Sequence, residues 1–94
     1  MKRILLLLLL CSTTLLMAQQ TDPIQEAMAS YDYETALSLI AQKKPATPLL
    51  LQKGKALRSL GLNAEALSTY QEIIGKDSTN TRALIEAEIG RAHV

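Results

Sequence analysis

From Asp22 onward, apolar residues recur three and four positions apart in five successive segments, and no segment alternates with period two. That spacing predicts helices throughout and no strands, so the expected fold class is all-α. The first helix is expected to start at Pro23, with Asp22 as its cap and Gln25 completing an Asp-x-x-Gln capping box. Ile24, Ala27, Met28 and Tyr31 then form its apolar stripe. Asp32 is the expected cap of a second helix carrying Tyr33, Ala36, Leu37 and Ile40, which Lys43, Lys44 and Pro45 end. Thr47 before Pro48 reads as the cap of a third, with Leu50, Gly54 and Leu57 on one face and Leu51 and Leu60 beside them; Gly61 is placed as its left-handed stop. Asn63 reads as the cap of a fourth, whose buried side is Leu67, Tyr70 and Ile74 flanked by Ala66 and Ile73, up to Gly75. After the polar turn Lys76 to Asn80, a fifth begins near Thr81 with Leu84, Ile85 and Ala87, an apolar face expected to be left exposed.

Helices of about 12 residues joined by turns of two to five residues lie antiparallel to their neighbours. The chain is therefore expected to be a row of helical hairpins.

These residues resemble the tetratricopeptide repeat, a helix-turn-helix unit of 34 residues. The match is best from Thr47 to Asn80, one full period. With Thr47 as repeat position one, Leu50 falls where the family often has Trp or Leu, Gly54 on its small position, Leu57 on its large one, Ala66 on the small position of the second helix and Tyr70 on the aromatic one. Lys53 stands for a usual Leu, Ile73 for a usual Ala and Ser78 for a usual Pro. Upstream, Asp32-Tyr33-Glu34-Thr35-Ala36-Leu37 resembles the run that opens a second repeat helix, so residues 19–46 read as an irregular first hairpin. The resemblance implies hairpins stacked as an α-solenoid, with Gly54 and Ala66 removing bulk where the two helices of a hairpin cross and Leu57 and Tyr70 filling the space beside them. A generic helical bundle is the alternative.

The start of the chain changes the address. Lys2 and Arg3 precede an apolar run from Ile4 to Leu10, then Ser12, Thr13 and Thr14, a second apolar patch and Ala18. This is the layout of a secretory signal over residues 1–18, cleaved after Ala18, or alternatively near Gln19 or Gln20. A membrane anchor would need about 20 uninterrupted apolar residues. Cys11 follows Leu10, whereas a lipoprotein signal wants a small residue there, so Cys11 reads as apolar filler. An exported, periplasmic or envelope-associated bacterial protein is expected, with no membrane span after cleavage. No cysteine then remains for a disulfide or thiolate site. Removing Lys2 and Arg3 turns the formal charge from +1 to −1, with both signs interspersed. That gives no footprint for nucleic acid.

The other end raises a different question. Ile89-Gly90-Arg91-Ala92-His93-Val94 is what the frame ATC GGA AGA GCA CAC GTC encodes, which resembles a common sequencing-library adapter. The expectation is that residues 81–94 begin a third repeat, that the native chain continues past Ala87, and that Glu88 to Val94 are adapter read-through. The alternative makes Gly90 the small residue of that repeat, displaced by two positions.

The single histidine, His93, lies in that tail, so no histidine-based triad or metal site can be composed. Gly54, Gly61 and Gly75 are too far apart for a phosphate loop, and Glu65 and Glu72 sit on an outer helical face. No catalytic, cofactor or metal site is expected. What the resemblance implies instead is a protein or peptide partner held on the concave surface lined by the first helix of each hairpin. Leu51, Lys55, Arg58 and Ser59 share the helical face that points there, distinct from Leu50, Gly54 and Leu57. Lys55 and Arg58 are the candidates for a partner's carboxylate. The expected function is an exported interaction scaffold, part of a longer protein. Its rivals are the periplasmic sensor region of a membrane-spanning regulator and the accessory domain of an exported enzyme.

Overall fold

A computed structural model of the chain describes residues 22–93. The leader expected over residues 1–18, with Cys11, lies outside the described residues, as does Val94. Among the described residues the chain is all-α, with five helices and no strand: α1 Pro23–Ala29, α2 Tyr33–Ala41, α3 Thr47–Ser59, α4 Asn63–Lys76 and α5 Thr81–His93. The principal packing partners are sequential neighbours, and α3 with α4 is the most extensive pair.

The helix starts are of two kinds. Asp22 and Asp32 cap α1 and α2 as expected, accepting from the Ile24 amide at 3.0 Å and the Thr35 amide at 3.3 Å. Thr47 and Asn63, by contrast, are first helical residues rather than caps. The helical ladder already begins at the carbonyls of Ala46 and Leu62, which accept from the amides of Leu50 at 2.9 Å and Ala66 at 3.0 Å. Ala46 and Leu62 thus occupy the cap positions, and neither helix has a side-chain cap. Asn80 caps α5, its Oδ1 accepting from the Ala83 amide at 3.0 Å.

Two turns close in the same way. Gly61, at φ 80°, donates its amide to Arg58, and Leu62 donates to Leu57, the paired bonds of a Schellman motif. After α1, Tyr31 donates to Met28 and Asp32 to Ala27 with Tyr31 at φ 61°, the same motif built on a side chain that disfavours it.

The core runs through Leu50, Leu57, Ala66, Tyr70, Ile73, Ala83 and Ala87, with Leu37, Leu51, Leu67 and Ile74 packed against it. The six residues expected to pack the repeat, Leu50, Gly54, Leu57, Ala66, Tyr70 and Ile73, are all buried. A Cβ on Gly54 would lie 2.5 Å from Tyr70 Cζ, so the glycine is what lets the tyrosine ring sit against α3. Tyr31, expected on the α1 stripe, is instead 78% exposed, because α1 stops at Ala29 and the left-handed turn swings it out. Leu84 and Ile85 are exposed, as expected, whereas Ala87, expected on the same exposed face, is buried. The inward face of α5 is a line of small residues, Ala83, Ala87 and Gly90, with Gly90 against Leu67. That line lets α5 approach α4 closely and leaves the bulky residues outside.

Candidate binding groove

Successive residues of an α-helix turn by about 100°, so α3 presents a second face beside its core face. Leu51, Lys55, Arg58 and Ser59 occupy it, and all four line one open groove of about 470 Å³. Tyr70 of α4 contributes to its wall, and Arg82 and Glu86 of α5 complete it. The Ser59 hydroxyl is turned back onto its own helix, donating to the Lys55 carbonyl at 2.9 Å.

Arg58 is tied down on three sides. Its Nη1 donates to Glu86 Oε2, its Nη2 donates to the Glu86 carbonyl at 2.8 Å, and its Cζ lies 5.4 Å from the centre of the Tyr70 ring. The Arg58 and Glu86 side chains are only 26% and 16% exposed, so this pair is shielded more than a surface ion pair and fastens α5 to α3 across α4. Arg82 Nε also faces Glu86, at 3.6 Å, and its side chain remains 68% exposed. Burial raises the Tyr70 phenol above its ordinary range; Glu86 adds to the rise and the two arginines oppose it.

The groove therefore holds three cations and one carboxylate, and the carboxylate is already occupied. Lys55, exposed and in no ion pair among the described residues, and the outer part of Arg82 carry the surplus positive charge. Of the two residues expected to meet a partner's carboxylate, Lys55 faces the groove openly, while Arg58 already has a carboxylate of its own. Sequence reasoning missed Arg82 and Glu86. Their spacing of four on one helix was the available signal, since it marks an ion pair on a single face.

Elsewhere, Glu65 and Glu72 border a shallow depression with Lys53, and both are exposed. Among the described residues no group of three or more His, Cys, Asp or Glu side chains is placed to hold a metal, and no helix is long and apolar enough to cross a membrane. Comparison with family models, with curated proteins and with solved structures returns no match.

Proposed function

We propose that the chain is an exported, tetratricopeptide-like scaffold for protein–protein interaction. Its hairpins stack as a short α-solenoid, and the groove of α3 takes an acidic peptide segment from a partner. The observation that carries this reading is the convergence of Leu51, Lys55, Arg58 and Ser59 on one open groove with an excess of two positive charges. In the proposed mode Lys55 and Arg82 meet the partner's carboxylates, Leu51 offers apolar contact, and Arg58 holds the groove's shape through Glu86 and Tyr70. Only residues up to Ala87 are used, so the reading is indifferent to the origin of Glu88 to Val94. The leader-like start supports export to the periplasm or envelope.

The probe is a fluorescein-labelled peptide ending in three acidic residues with a free carboxyl terminus, titrated against the full chain by anisotropy. Saturable binding that weakens with added salt is expected, with a loss of about tenfold in the Lys55→Ala/Arg82→Ala variant. Equal binding by the parent and the variant would remove the groove from the account.

A further inference from the structure

A second cavity, of about 310 Å³, opens where α2 hands over to α3, and no residue lines both it and the groove. Its apolar lining comes from Leu37 and Ile40 on α2 and from Leu49 and Leu50 on α3; Ile40 and Leu50 are buried, and the other two are half-buried. Its only ionisable side chains are Lys43, Lys44 and Lys53. None of the three is within ion-pair distance of a carboxylate among the described residues.

Three lysines border this apolar recess, and an opposite charge brought among them is attracted. Part of this has a local explanation, since Lys43 and Lys44 follow the C-terminal end of α2 and complement its dipole. Lys53 has none of that kind, because it lies in the middle of α3; it also borders the depression that holds Glu65 and Glu72, with neither carboxylate within ion-pair distance. The start of α3 adds positive potential on the same side, with no acidic residue in its first turn and no side-chain cap. Long lysine stems can line an apolar wall while their heads gather at its edge. A cavity of this size is at the lower end of small-ligand sites and holds about ten non-hydrogen atoms, taking ~30 Å³ for each water-sized group.

We infer that this cavity binds a small amphipathic anion, an aliphatic chain bearing one carboxylate, with the chain against Leu37, Ile40 and Leu49 and the carboxylate among Lys43, Lys44 and Lys53. This site is separate from the peptide groove and stands or falls without it.

The test uses decanoate, kept below its micelle-forming concentration, titrated into the full chain with methyl-labelled Ile and Leu. Saturable shifts confined to the methyls of Leu37, Ile40, Leu49 and Leu50 are expected. Decanol, of equal length and no charge, should bind about tenfold more weakly, and the Lys43→Gln/Lys44→Gln/Lys53→Gln variant should lose a similar factor for decanoate while keeping its helical circular dichroism. Shifts spread evenly over all methyls, or no saturable shift at these four, would overturn the proposal. So would decanoate and decanol binding alike, since the lysines would then have no part in it.

Discussion

The hairpin of α1 and α2 and the hairpin of α3 and α4 each turn through three residues with the same pair of backbone bonds, yet they are stabilised differently. In the first, helices of 7 and 9 residues both begin with an aspartate cap, and the turn forces Tyr31 into a left-handed conformation. In the second, helices of 13 and 14 residues have no side-chain caps, the turn is a glycine, and Gly54 lies against the Tyr70 ring. Short helices bury little apolar surface, so satisfying their end groups matters proportionally more. Longer helices derive their stability from a packed face. The groove is built on the second kind, where a rigid face can hold side chains in place.

If that contrast is right, the largest effect comes from Gly54→Ala. Alanine favours a helix by about 1 kcal/mol over glycine. The added methyl group would nonetheless overlap the buried Tyr70 ring, and a net loss of about 1–3 kcal/mol in urea unfolding is expected. A gain in stability would show that the two helices are not held at that distance. Next come the caps: Asp32→Ala should cost about 1 kcal/mol, and Ala46→Asp should stabilise by up to about 1 kcal/mol by supplying the cap that α3 lacks. A smaller response at Ala46 than at Asp32 would bear out the contrast; equal responses, or silence from both, would erase it. Smaller still, Tyr31→Gly should raise the urea midpoint, with about 0.5–1 kcal/mol from relief of the left-handed turn outweighing glycine's entropy and the lost edge contact with Tyr33. The smallest effect is alkaline. The folded state holds the Tyr70 proton more tightly than the unfolded one, so its contribution is complete below the ordinary phenol range and is lost as pH rises through the folded value. Stability of the parent should therefore fall more steeply above about pH 10 than that of Tyr70→Phe.

How much of this was legible depends on how local each feature is. The apolar spacing located all five helices, and small residues at Gly54 and Ala66 marked where α3 and α4 approach. Tyr31 was placed on the wrong side because its stripe position presumed another turn of α1, while the backbone after Ala29 folds back instead. On α5, Leu84 and Ile85 are exposed as expected, but Ala87 of the same expected face is buried, because close approach to α4 selects the small residues Ala83 and Ala87. The α3 face of the groove was expected from the repeat resemblance, with helical geometry putting Leu51, Lys55, Arg58 and Ser59 on one shared face. Glu86 could not be paired with Arg58 in the same way, because they are 28 residues apart and meet only through the packing of α5.

The most direct test of the groove is an amide-resolved map of where the acidic peptide lands on the labelled chain. The account predicts shifts at Leu51, Lys55, Ser59 and Arg82, with α1 and the amides of Lys43 and Lys44 unmoved. Shifts centred on α1 and α2, or on the lysine-rimmed cavity instead, would contradict it and assign the binding surface to the other hairpin.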